Sequence, residues 1–307
     1  MIKTRQKTCV LTIDVEEWFQ VENLRAASPK KLWETKNSSV FGNTLKILSI
    51  LKKHRVPATF FVLGWVAERN PELLKEIASR GHEIACHGFG HDLTYDLDEE
   101  KLMADIRRAK QALTSAADGE VVGYRAPNFS VDDRLLAILK QLGFRYDSSY
   151  NPFSLNKRYG SIRGKQVQLS SGCYRTENGI YELPISTLPV FGKPFPIGGG
   201  AYFRIFPLWV FEQLVRKKLN LDGYFNLYLH PWELEPEQPR MTSIKLNYRF
   251  RHYYGLKHTA AKLDKFLRFL EKQECRFLTM NQYLDQVLTG ETVELGSLKY
   301  RTPDPIL

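Results

Sequence analysis

Cysteine is scarce and unpaired in this chain. Cys9, Cys86, Cys173 and Cys275 are its four, and no two are spaced as a CxxC pair. That spacing excludes a thiolate zinc ribbon and a small disulfide-stapled scaffold. Three of the four fall in apolar, strand-like runs, so they read as buried free thiols of a reducing compartment. No apolar run approaches the roughly 20 residues that a membrane-spanning helix needs. The N-terminal Met1-Ile-Lys-Thr-Arg-Gln-Lys7 is basic, but the apolar stretch Cys9–Ile13 is too short for a secretory signal and runs into Asp14 and Glu16. The expectation is a cytoplasmic protein, compatible with peripheral attachment to the inner membrane face. Internal repeats, low-complexity tracts and an interdomain linker are also lacking. So is any nucleic-acid module, because the lysines and arginines are scattered rather than clustered.

What is present is a large apolar complement, 43% of 307 residues, and a formal net charge of +10. The first suffices for one large α/β domain or two small ones. The second points to an anionic glycan or a lipid-linked substrate. Short apolar runs alternate with helical patterns, the rhythm of βα units around a parallel sheet or barrel. The strands predicted are Thr8–Ile13, Ala58–Leu63, His82–Cys86, Val121–Arg125, Phe144–Asp147, Tyr181–Ile185, Tyr224–Leu229 and Arg276–Thr279. Helices are predicted near Gly42–His54, from Pro71 towards Gly81, and over Asp98–Ser115, Asp132–Leu142, Phe206–Leu219 and Lys257–Gln273. Residues Asn151 to Gly179 read as loop, and Glu237–Leu256 shows no clear period.

Chemistry concentrates at the ends of those strands. Three of the seven histidines, His82, His87 and His91, fall within eleven residues. The H-x-x-x-H spacing of His87 and His91 lets two imidazoles share one ion. After the first strand, alternation puts Asp14 and Glu16 on one side and Val15 on the other. Two carboxylates there can divide the work of metal ligand and base. Arg125 can hold a base carboxylate ionised. His230, far along the chain, is a candidate acid. Asp14, His87, Arg125, Asp147 and His230 all fall at or just after the C-terminal end of a predicted strand, which in an α/β barrel is the face that carries chemistry.

The runs Leu11-Thr-Ile-Asp-Val-Glu16, His87/His91, Arg125-Ala-Pro127, Tyr146-Asp-Ser-Ser149 and Leu229-His230 occur in the order of five known motifs. In this the chain resembles the polysaccharide deacetylases, also called the NodB-homology or carbohydrate esterase family 4 group, over about residues 9–232. Asp14-Val-Glu-Glu-Trp-Phe19, Gly198-Gly-Gly-Ala-Tyr-Phe-Arg204, His230-Pro-Trp-Glu233 and Phe250-Arg-His-Tyr-Tyr254 look closer still to the deacetylases of exosortase-linked exopolysaccharide loci.

The resemblance implies a distorted (β/α)7 barrel with a C-terminal extension at about 233–307, the whole of 1–307 forming one domain. It implies one divalent metal ion, zinc first and cobalt, nickel or manganese next, and removal of N-acetyl groups from amino sugars of a polymer or a lipid-linked oligosaccharide. By motif position Asp14 is the base, Arg125 orients it, His230 is the general acid, and His87 and His91 are metal ligands. The family carries a second aspartate where this chain has Val15, so Glu16 is taken as the third ligand. The alternative makes Asp14 the ligand, with Glu16 or Glu17 as base. Two other functions fit the same scaffold: a small-molecule amidase acting on a cyclic amide or ureide, and a non-catalytic glycan-binding protein.

Trp18, Tyr202 and Trp232 are candidate sugar platforms, and Asp147 either lines the cleft or caps an element. Trp33, Trp65 and Trp209 are expected to pack. Gly198–Gly200 either admits a sugar close to backbone or forms a flexible turn. His82 is expected to be structural, and His252 and His258 to lie on the surface.

Overall fold

The computed structural model describes residues 6–117, 119–153 and 159–290. Its strands are β1 Thr8–Val15, β2 Thr59–Val62, β3 Glu83–Cys86, β4 Gly123–Tyr124, β5 Tyr146–Asp147, β6 Gln166–Ser170, β7 Cys173–Thr176, β8 Tyr181–Glu182, β9 Thr187–Val190, β10 Lys193–Pro196, β11 Tyr224–Leu229 and β12 Arg276–Leu278. Its α-helices are α1 Val40–His54, α2 Gly64–Arg69, α3 Pro71–Ser79, α4 Glu99–Ala117, α5 Asp133–Gln141, α6 Gly200–Ile205, α7 Leu208–Asp222, α8 Leu246–Tyr253, α9 Thr259–Lys272 and α10 Met280–Thr289.

Local signals fix many of the boundaries. Pro71 opens α3 at a position that needs no backbone donor. The Asp132 side chain accepts the Leu135 N–H at 2.7 Å and caps α5. Gly223 ends α7 in the left-handed region at φ 73°. Thr279 and Gln282 form a capping box at the start of α10.

In the spatial order β11-β1-β2-β3-β4-β5-β8, seven strands pair in parallel. The chain leaving β8 returns to the far edge of β11. There Asn226 N donates to Ser186 Oγ at 2.8 Å, and Tyr228 N donates to Gly198 O at 2.7 Å. The seven strands thus close into a distorted (β/α)7 barrel. Every residue of β1 is buried, as expected of a strand covered on both faces. A strand has two edges. Since β11 occupies one along Thr8–Ile13, β12 and β2 share the other, at Thr8–Val10 and Thr12–Val15.

The barrel interior is stratified. Val10, Phe61, Ala85, Tyr146 and Tyr224 make an apolar floor, which Met280, Tyr283 and Leu284 of α10 cover. Above it lie Thr12 and Arg125, and above those, at the strand C-termini, Asp14 and Glu16. The outward-facing residues, among them Ile13, Val15, Phe60 and Val62, pack against helices such as α1 through Ile47, Leu48 and Leu51.

Two stretches differ from the sequence reading. Within the region read as loop, β6 and β7 pair as an antiparallel hairpin with an irregularity between Gln168 and Ser170; residues 154–158 lie outside the described residues. The stretch without clear period, 237–256, contains α8. Its large apolar residues Leu246 and Phe250 face solvent, so burial imposed no pattern there.

Candidate metal centre and catalytic cleft

The strand C-termini deliver their polar side chains into one cleft of about 90 Å3, lined by Asp14, Glu16, His87, His91 and His230. β1 carries Asp14 inward while Val15 joins the outer core, and Glu16, just past the strand end where its N–H turns back to Asp14 O at 3.0 Å, also faces the cleft. β3 delivers His87, whose Nδ1 is held by the Arg125 carbonyl at 2.7 Å. With Nδ1 serving as donor, Nε2 is left with its lone pair toward the cleft. Burial, only partly opposed by the Asp14 charge, lowers the His87 imidazole to about 4, so it is neutral and fit to ligate.

The chain then turns through Gly88 at φ 74° and places His91 at φ 54°. A left-handed conformation is costly for histidine and marks a constrained site. Asp105 of α4 pins this turn by accepting the Phe89 N–H at 2.8 Å and the Gly90 N–H at 3.3 Å. Asp105 is a positioning residue that the sequence reading missed, because it lies in an ordinary amphipathic helix.

One nitrogen each from His87 and His91 and one oxygen from Glu16 lie within 4.8 Å of one another, and all three residues are buried. Glu16 Oε2 approaches His91 Nε2 to 2.7 Å but is not aligned for a hydrogen bond, so this buried oxygen has no hydrogen-bond partner. Burial works to raise the Glu16 carboxyl; the His91 and His230 charges outweigh it and hold it down at about 2. Two imidazoles, one ionised carboxylate and an orphaned buried oxygen fit a divalent cation of the zinc type.

Asp14 is placed differently. Its Oδ1 accepts from Arg125 Nη1 at 2.6 Å, and its Oδ2 lies 3.9 Å from His230 Nε2. The Arg125 guanidinium is fully buried. It donates also to Thr12 Oγ1, Ser148 O and Ser148 Oγ, and lies 4.1 Å from the Phe61 ring centroid. Glu17 points away from the cleft. Its carboxylate accepts the Ser39 and Val40 N–H groups and caps α1.

His230 follows β11. Its Nδ1 lies 2.8 Å from Glu233 Oε1, and its Nε2 lies 3.4 Å from Glu16 Oε1. Burial works to lower the His230 imidazole. The Glu16 charge and the Glu233 hydrogen bond outweigh it and raise the group to about 9, so it is protonated at neutral pH. Glu233 is in turn held by Arg204 Nε at 3.1 Å. The other Arg204 nitrogens donate to the carbonyls of Arg251, His252 and Tyr254, at and just past the end of α8.

The four residues named as sugar contacts take different places. Trp232 lines the cleft, but it is stacked between His230 and His252 at 5.0 and 4.4 Å, and its Nε1 donates to Glu16 Oε1 at 3.2 Å. Trp18 is buried in an aromatic cluster with Phe19 and Trp33. Tyr202 is half-buried against Phe195 and Phe206. Asp147 is fully buried at the end of β5 and accepts from Ser149 Oγ at 2.6 Å, beside Glu182. Trp18, Tyr202 and Asp147 are not among the cleft-lining residues.

Other placements correct the sequence reading. His252 is buried against Trp232, not on the surface, and Trp209 is exposed, not packed. The Gly198–Gly200 run serves internal packing. A Cβ at Gly198 would sit 2.5 Å from Asn226 O, and one at Gly200 only 2.3 Å from the Glu233 carboxylate. Asn128, at φ 52° in the cleft wall, keeps a buried Nδ2 with no partner. The reading missed this donor although Asn128 directly follows the Arg125-Ala-Pro127 run.

Residues 3–146 match the polysaccharide deacetylase family, and residues 148–285 match a domain of unknown function, DUF3473. Residues 3–146 thus carry a polysaccharide deacetylase domain. Among its relatives is a peptidoglycan-N-acetylglucosamine deacetylase of Bacillus cereus, 30% identical over 102 residues, 33% of this chain and 47% of that protein. A chitooligosaccharide deacetylase of Rhizobium leguminosarum bv. trifolii is 40% identical over 73 residues, 24% of this chain and 34% of the relative. The chain therefore spans less than half the length of either relative. A solved candidate polysaccharide deacetylase from Mycobacterium smegmatis superposes over 98% of both chains with a TM-score of 0.61 at 21% identity. That match shows the deacetylase barrel along nearly the whole chain.

Proposed function

We propose that the protein is a metal-dependent deacetylase that removes N-acetyl groups from amino sugars of a glycan, an exopolysaccharide or its lipid-linked precursor. The observation that carries this reading is the pairing, in one cleft, of a ligand-type triad with an acid–base pair. Glu16, His87 and His91 would hold the ion. A divalent cation bound there polarises an acetamide carbonyl and makes water more acidic.

The remaining steps belong to side chains. Asp14, fixed through one oxygen by Arg125, takes a proton on its free Oδ2 from the attacking water. The buried Asn128 amide offers a donor to the acetamide or its sugar. His230 delivers the proton held on Nε2 to the departing amine nitrogen, giving acetate and a free amino sugar. Glu233 keeps that imidazole oriented and charged. The relatives named for peptidoglycan and chitooligosaccharide deacetylation support an N-acetylated sugar as substrate.

Acetate release from N-acetylglucosamine oligomers tests this, with chelator treatment and metal re-addition as the second arm. Release that chelation abolishes and metal restores is the expected result. Turnover of cyclic amides without acetate release would favour the amidase reading. Absence of both activities from metal-loaded protein would favour a glycan-binding role.

A further inference from the structure

Five of the ten exposed large apolar residues among the described residues fall on three segments joined through Tyr202, on which Phe195 of β10 packs at 5.7 Å and over which Arg251 of α8 lies at 5.9 Å. Phe191 (102% exposed) tops the β9–β10 turn, Trp209 (68%) stands at the start of α7, and Leu246 (77%) and Phe250 (55%) lie in α8 with Tyr254 (46%) at its C-cap. The last three recur every four residues, the spacing of one helix face, and the Phe250 and Tyr254 rings lie 4.9 Å apart. Monomeric proteins rarely display a large contiguous apolar surface without using it.

The elements are linked. Phe195 of β10 packs on Phe206 at 6.2 Å, three residues before Trp209. Phe206 and Tyr254 both line one open cleft of about 880 Å3. That cleft is cationic, with Arg240, Lys257 and Lys262 against Glu237. It is distinct from the catalytic cleft, and Arg204 separates the two.

We propose that this face docks on an anionic lipid bilayer, with the apolar row of α8, Trp209 and Phe191 entering the interface and the basic cleft receiving acidic headgroups. Apolar side chains beside lysine and arginine are the composition of an interfacial helix. No helix among the described residues is long and apolar enough to cross a membrane. Charge complementarity selects the occupant. A second copy of the chain would set one cationic cleft near another, whereas an acidic lipid surface neutralises it. The inference is independent of the reaction at the catalytic cleft.

Flotation of the intact chain with vesicles tests it, comparing phosphatidylcholine alone with an equimolar phosphatidylcholine–phosphatidylglycerol mixture at low and high salt. Binding is expected to the anionic vesicles only and to weaken as salt is raised. Phe250→Ser should weaken it about tenfold through lost apolar burial, and Lys257→Glu at least about fivefold. Both variants should melt as the wild type does. Equal binding to neutral vesicles, no binding to either, or variants that bind like wild type would overturn the proposal. A dimer in sedimentation equilibrium that Phe250→Ser converts to monomer would also overturn it and assign the face to a second copy.

Discussion

The two sides of the catalytic cleft use one device, a buried arginine fixing a carboxylate, at different removes from the reacting atoms. On the N-terminal side Arg125 holds Asp14 at 2.6 Å, and Asp14 itself faces the cleft. On the C-terminal side Arg204 holds Glu233 at 3.1 Å, and Glu233 in turn contacts His230, the proposed acid, at 2.8 Å. The first pair is made across the barrel, from the ends of β1 and β4, with Ser148 beyond β5 holding the guanidinium. The second needs α6, β11 and the carbonyls ending α8, elements that come together late in the chain. The side bearing the proposed base and ligands is therefore fixed from barrel strand ends, while the side bearing the proposed acid is fixed by a relay of side chains.

The comparison breaks most sharply at His230. His230→Ala should lower acetate release by about 10²–10⁴-fold while metal content, read by elemental analysis, stays at the wild-type level. Loss of metal in this variant would move His230 to the ligand side. One step back, Glu233→Gln should cost roughly 10–100-fold, as removal of carboxylates that orient functional histidines does, with steady-state kinetics showing the loss in kcat. A smaller loss is expected of Gly200→Ala. Its new methyl must displace the Glu233 carboxylate, 2.3 Å from where a Cβ would stand, so turnover should fall less than in Glu233→Gln with metal retained.

The smallest effect lies away from both sides. His82 accepts the Ala58 N–H at 3.2 Å, and burial lowers its imidazole from 6.5 to about 4. The unfolded chain binds this proton more readily than the folded one, so stability present above pH 6.5 is lost as pH falls towards 4. Urea unfolding of His82→Asn, which keeps an acceptor without a titrating ring, should show a flatter acid limb over that window.

How far each side could be read from sequence follows from the same contrast. The barrel was legible because its strands are short apolar runs separated by capped helices. Asp14, Glu16, His87, His91 and Arg125 could be placed by strand alternation and strand ends. His230 could be named for the same reason. The roles of its supports could not: Glu233 and Arg204 stand in aromatic, apolar runs far apart in the chain, and only the fold shows that they touch. Trp232 lines the cleft as the sequence reading expected of a sugar contact, but sequence shows an aromatic ring and not the two imidazoles that sandwich it. The α8 helix left no period because its apolar residues are not buried.

The account centres on a division of labour between Asp14 and Glu16, two carboxylates at the C-terminal end of β1. Metal content and acetate release, measured together on Asp14→Asn and Glu16→Ala, test it most directly. The prediction is that Asp14→Asn keeps its ion and loses turnover, whereas Glu16→Ala fails to retain the ion. An ion lost from Asp14→Asn but kept by Glu16→Ala would contradict the account and exchange the two roles.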